Sequence, residues 1–69
     1  MKLSARNILK GKISKITEGA VNAEVEIELA GGQKIISIIT MNSVKELKLN
    51  AGKEAYAMIK ASSVMIAVD

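Results

Sequence analysis

The chain has 69 residues, which is one domain's worth, and a domain of that size buries only about 60% of the surface of its unfolded chain. It has no cysteine and no histidine, which excludes disulfides and the usual zinc sites as supports and leaves association. The net charge of +3 suits an anionic partner without naming one.

Met1-Lys2-Leu3-Ser4 leads into no apolar core of a signal peptide. The stretch Ser4-Ala5-Arg6-Asn7 follows. Arg6 is the single arginine among ten cations, and its planar fork of donors beside the Ser4 hydroxyl suits an anion with several oxygens. Residues 7 to 17 read as a strand, with Leu9, Gly11 and Ile13 on one face and Ile8, Lys10, Lys12, Ser14 and Ile16 on the other. Lys10 and Lys12 read either as a basic face or as a lysine-blunted edge. Thr17-Glu18-Gly19 reads as a turn, with Gly19 supplying a positive φ.

Residues 20 to 30 alternate with period two. Val21, Ala23, Val25, Ile27 and Leu29 share one face, and Asn22, Glu24, Glu26 and Glu28 the other, the pattern of a half-buried strand. Gly31-Gly32 closes a hairpin. The next run, 33 to 41, is apolar on both faces: Ile35 and Ile39 on one, Ile36 and Ile38 on the other. A doubly apolar strand in so small a domain implies that something outside the monomer covers one face.

The period then changes. Val44 and Leu47 fall at helical spacing, and Ser43 followed three residues later by Glu46 reads as a capping box opening a helix of about two turns. Asn50-Ala51-Gly52 is a turn. A fourth strand runs from 54 to 61, with Ala55, Ala57 and Ile59 facing away from Tyr56, Met58 and Lys60. Ser62-Ser63 breaks it, and 64 to 68 is a fifth strand. Three strands, a short helix and two strands make the plan of an all-β, OB-type five-stranded barrel with its helix between strands three and four. A small open sheet of the SH3 type is the rival. No linker or repeat divides residues 1–69.

The composition is poor in catalytic groups: there is no histidine base and no cysteine nucleophile. The row Glu24, Glu26, Glu28 reads as a solvated strand face, and nothing near Lys60 marks it as a reactive amine. No apolar run approaches the ~20 residues of a membrane helix, and the lack of cysteine is compatible with a cytoplasmic protein. Oligonucleotide binding is the general alternative for an OB barrel. It relies on aromatic platforms for the bases, and this chain has Tyr56 alone, so nine lysines would hold a nucleic-acid backbone by charge. Hydrophobic residues make up 49% of the chain, which predicts an apolar patch covered by a second subunit. A small oxyanion suits the donors better. Ser4, Arg6, Thr40, Lys60 and Ser62 offer hydroxyls, a guanidinium and an ammonium at strand ends and breaks. A site with donors only disfavours phosphate, which carries a proton near neutral pH.

Ser4-Ala5-Arg6-Asn7, followed by Leu9-Lys10-Gly11, resembles the opening motif of the molbindins, the small molybdate- and tungstate-binding proteins also called Mop, which are TOBE-like domains. Gly31-Gly32, Ile38-Ile39-Thr40, the segment from Ser43-Val44 to Leu47, and Ile59-Lys60-Ala61-Ser62 extend the resemblance over essentially the whole chain. The resemblance implies a single molbindin domain over 1–69, a homo-hexamer built as a trimer of dimers, and oxyanions held between subunits without catalysis. It implies that Ser4, Ala5 and Arg6 grip molybdate or tungstate, Ala5 through its main-chain N–H. Thr40 and Lys60 match further ligand positions, with Ser62 close by, and Arg6 and Lys60 meet across a seam between chains. The family also has a second kind of site, near its three-fold axis, which no motif locates in this sequence; the Gly19-Ala20 turn, whose N–H groups would form a nest, is the candidate for it. The function so implied is cytoplasmic storage or buffering of the oxyanion, free or in a pterin-bound form.

Overall fold

The computed structural model describes residues 4–69. Four antiparallel strands, β1 (Asn7–Glu18), β2 (Asn22–Leu29), β3 (Lys34–Thr40) and β4 (Glu54–Ile59), form one sheet in the order β3-β2-β1-β4, with one helix, α1 (Met41–Glu46), between β3 and β4. This is the expected OB-like plan. The fifth strand differs: a 3-10 turn at Ala61–Ser63 follows β4, and residues 64–69 leave it without joining the sheet.

β1 organises the molecule. Its first half pairs with β4, from Asn7↔Ile59 to Lys12↔Glu54. Its second half pairs with β2, from Gly11↔Leu29 to Glu18↔Ala23. The two ladders overlap at Gly11 and Lys12, and at Gly11 a Cβ would stand 2.5 Å from the Glu28 carbonyl oxygen and 2.8 Å from Ile27 Cγ2. At that distance the Glu28 main chain leaves no room for a side chain at position 11.

The sheet's register shifts between Ile13 and Lys15, leaving Ser14 as the extra residue of a β-bulge. Its hydroxyl approaches the Glu26 main-chain carbonyl at 3.2 Å and Glu26 Oε1 at 3.0 Å. The bulge reverses the alternation of β1. Ile16, which strict period two places opposite Ile13, therefore packs on the same core.

That core is small. Ile13, Val25, Ile27 and Ala57 are buried together, with Ile16, Leu29, Ile35, Ile39, Leu49 and Ala55 packed around them. The alternation of β2 is as expected from Ala23 to Leu29. Val21 is exposed just ahead of the strand, where its carbonyl accepts the Met41 N–H at 2.8 Å. On β3, Ile35 and Ile39 face inward, while Ile36 and Ile38 are 51% and 71% exposed.

The helix begins earlier than the Ser43–Glu46 pattern suggests. Thr40 is the N-cap, its Oγ1 accepting the Ser43 N–H at 3.0 Å and donating to Ser43 Oγ at 2.9 Å. Ser43 is thus the capped third residue rather than the cap. Only Val44 is buried. At the other end Lys48 takes φ 53°. Its N–H reaches the Lys45 carbonyl and the Leu49 N–H reaches the Val44 carbonyl, a Schellman closure. Lys53 Nζ adds bonds to the Leu47 and Lys48 carbonyls at 2.8 and 3.2 Å. The positive-φ glycines are Gly32, in the β2–β3 hairpin, and Gly52. Gly19 is not among them.

Candidate functional site

The β1–β4 ladder ends at Asn7↔Ile59, and the Asn7 side-chain amide ties that end by donating to the Ile59 carbonyl at 3.2 Å. Arg6 immediately precedes this pair and Lys60 immediately follows it. The backbone therefore brings the single arginine and Lys60 to one end of one sheet although 54 positions separate them in sequence. Lys60 is extended, with φ −63° and ψ 139°. The turn after it is fixed by Ser63 N–H to Lys60 carbonyl at 2.9 Å and Val64 N–H to Ala61 carbonyl at 3.3 Å. Ser4, Arg6, Lys60 and Ser62 are exposed, and Ala5 is half-buried.

Among the described residues, neither Arg6 nor Lys60 takes part in an ion pair. The cations that do are Lys10, 3.6 Å from Glu54, and Lys34, 3.2 Å from Glu26. Lys53 is committed to the end of the helix. This strand end thus carries a guanidinium and an ammonium, with the Ser4 and Ser62 hydroxyls each two positions along the chain from them, donor types that a multiply charged oxyanion accepts from.

Thr40 lies elsewhere. It pairs with Asn22 at the end of β3, and β2 meets β1 there at Ala23↔Glu18. Asn7 and Glu18 are eleven residue steps apart, about 36 Å of strand at ~3.3 Å per residue. Within one chain Thr40 cannot share a ligand with Arg6 and Lys60, because a hydrogen-bonded oxyanion reaches its donors at about 3 Å.

Ala20 and Thr40 instead line one open pocket of about 430 Å³ with Val21, Met41, Asn42 and Lys45. The Gly19-Ala20 nest is not formed as expected, because the Gly19 N–H already donates to the Asn22 carbonyl at 2.9 Å. Lys45, the cation of this pocket, was not marked by the sequence reasoning. Its signal was the Thr40-x-x-Ser43 cap, which starts the helix early enough to put Lys45 in its last turn.

The acidic row on β2 has an ordinary explanation at its centre. The Ser14 hydroxyl, then the Lys34 ammonium, hold the Glu26 carboxyl below its ordinary value of 4.5. Tyr56 is exposed on β4 opposite Lys10.

The family model of the TOBE domain matches residues 3–66. A probable molybdenum-pterin-binding protein of Haemophilus influenzae is 55% identical over 69 residues, covering all of both chains. This chain belongs to the molbindin (Mop) family of TOBE domains. Among solved structures, MopII of Clostridium pasteurianum superposes on this molbindin with a TM-score of 0.91 at 49% identity, covering 97% of this chain and 100% of that one. ModG, described as a cytoplasmic molybdate-binding protein and solved with molybdate bound, gives a TM-score of 0.91 at 52% identity. That match covers 94% of this molbindin and 46% of ModG.

Proposed function

We propose that this protein binds molybdate or tungstate as an intact oxyanion at the Ser4–Arg6 and 60–62 end of the sheet, between subunits of a homo-oligomer. The observation that carries the reading is the Asn7↔Ile59 register, which sets Arg6 and Lys60 side by side. Relatives named as molybdenum-pterin- or molybdate-binding proteins, matched over 100% and 94% of this chain, support the choice of anion.

Two physical points support a site between subunits. First, the two cations are exposed in a single chain. Unit charges 4 Å apart attract by only ~1 kcal/mol in bulk water and by ~4 kcal/mol at an effective dielectric of 20. A covering surface is needed before the attraction holds an anion against its hydration. Second, Thr40 ends β3 on the side of the sheet where β1 finishes at Glu18, away from Arg6 and Lys60, and would reach this anion from another subunit.

In this reading Arg6 and Lys60 neutralise the dianion, Ser4 and Ser62 donate hydroxyls, and Ala5 donates its main-chain N–H. Thr40 would join from a neighbour once its hydroxyl turns from Ser43. The pocket at Ala20, Thr40 and Lys45 is the place for a second class of site, without the Gly19 N–H. The role is storage and buffering in the cytoplasm by a hexameric assembly, with no reaction catalysed.

Isothermal titration with molybdate, tungstate, sulfate and phosphate tests the proposal. Binding of molybdate with phosphate excluded is the expected result, and no heat with either metal oxyanion refutes it.

A further inference from the structure

Asn7 opens β1, and period two puts it on the inward face with Leu9, Gly11 and Ile13. Asparagine is poorly suited to a strand, and a half-buried amide there calls for a hydrogen-bond partner. Asn7 is half-buried, and its Nδ2 donates to the Ile59 carbonyl at 3.2 Å. Among the described residues this is the one side-chain hydrogen bond between β1 and β4.

The acceptor of that bond matters. The Ile59 carbonyl belongs to the planar peptide that also carries the Lys60 N–H, so holding its oxygen fixes the plane through which the chain enters Lys60. The peptide on the other side is held as well, because the Lys60 carbonyl accepts the Ser63 N–H at 2.9 Å. Lys60 is thus pinned by a hydrogen bond in each flanking peptide, extended at φ −63° and ψ 139°, while the residue itself is exposed. One more step of the β1–β4 register sets Arg6 opposite Lys60, just past the last pair of the ladder. Like charges placed opposite each other on neighbouring strands are destabilising, so the empty site needs something to keep this end of the ladder closed.

We propose that Asn7 is a positioning residue of the oxyanion site. It does not touch the anion. Its amide clamps the last β1–β4 pair, and through the Ile59–Lys60 peptide it holds the backbone of Lys60 in place beside Arg6 before the anion arrives. A charge placed in advance binds without first being ordered, and that saving appears as affinity. The amide's N–H makes the difference: a leucine of similar size has no donor for the Ile59 carbonyl. The role rests on the anion reading given above.

Titration calorimetry with molybdate on wild type, Asn7→Leu, Lys60→Ala and the double variant tests the role. Loss of one neutral hydrogen bond should weaken binding roughly fivefold in Asn7→Leu. In the Lys60→Ala background the same substitution should change affinity by less than about twofold, because the group it positions is gone. A residue that merely supports the fold would weaken both backgrounds alike, so equal losses overturn the proposal. An Asn7→Leu that binds like wild type overturns it too. Asn7→Ala removes the amide without filling its place, and it goes through the same cycle with light scattering and thermal unfolding beside it. If both variants fail to fold or to keep the wild-type mass, Asn7 belongs to the fold and the role is refuted. No heat with the wild-type protein overturns the anion reading and this role with it, whereas wild-type binding without the coupling removes the role alone.

Discussion

A double-mutant cycle on Arg6 and Lys60 bears most directly on the binding site. The register places these two residues on either side of the Asn7↔Ile59 pair, so they should act on one anion. A hydrogen bond to a charged group contributes roughly 1.5–3 kcal/mol, and at ~1.4 kcal/mol per factor of ten each single alanine substitution should weaken molybdate binding roughly 10- to 150-fold. The two losses should not add. Once one cation is gone the anion is free to shift or to keep its water, so the second removal costs less, with a coupling of about 0.5–3 kcal/mol for residues sharing a partner. Neither side chain pairs with a described residue, and both are exposed. The melting free energy of each variant should therefore stay within about 0.5 kcal/mol of wild type. Titration calorimetry on the four proteins, with thermal unfolding beside it, measures all of this. Single variants that bind within twofold of wild type, or strictly additive losses, would refute the shared site. A loss of binding matched by loss of folding would show that the cations act on the fold.

Three further outcomes test the structural reasoning. Gly11→Ala should destabilise by about 1–3 kcal/mol, because its Cβ would meet the Glu28 main-chain oxygen at 2.5 Å; a urea midpoint equal to wild type would show that the strands can part there. Lys48→Gly should stabilise by about 0.5–1 kcal/mol, since a left-handed residue with a side chain costs roughly 1–2 kcal/mol and glycine's looser unfolded chain returns part of it, with φ 53° as the basis; a lower melting temperature would contradict the strain. The Glu26 carboxyl titrates below its ordinary 4.5 in the fold, held first by the Ser14 hydroxyl and then by Lys34. Its ionised form therefore favours the native state. That contribution is complete above the unfolded value and lost as pH falls through the folded one. Glu26→Gln should be less stable than wild type at neutral pH, with the gap closing in acid; a gap that widens in acid would reverse the assignment.

What the sequence revealed and what it hid divide along physical lines. The burial of Val25 and Ile27 was legible because one dry face imposes period two on its strand. The Gly31-Gly32 hairpin was legible because turn chemistry is local. The Ser14 bulge was not, since one extra polar residue in a strand looks like ordinary alternation until a partner strand sets the register. Its error propagated to Ile16. The helix start was misplaced because Thr40 and Ser43 both satisfy the hydroxyl rule, and only the end of β3 decides between them. The turn at Gly19 kept its place and lost its positive φ, for a glycine reports freedom rather than its use.

The candidate site shows the same division more sharply. The donor types of Ser4, Arg6, Lys60 and Ser62 were visible, while the arrival of Arg6 and Lys60 at one end of the sheet depends on the β1–β4 ladder, a pairing between distant parts of the chain. The seam expected between Arg6 and Lys60 is absent from their backbone placement, since one chain brings both to the same end. In the proposed site it is Thr40 that would come from a second subunit.

A neighbouring subunit laid over the end of the sheet that carries Arg6 and Lys60 would displace water from it. Lower local dielectric strengthens each attraction between a dianion and the two cations. In the proposed site the affinity for the anion would then be set by the subunit that covers it, and not by the two exposed cations of a single chain.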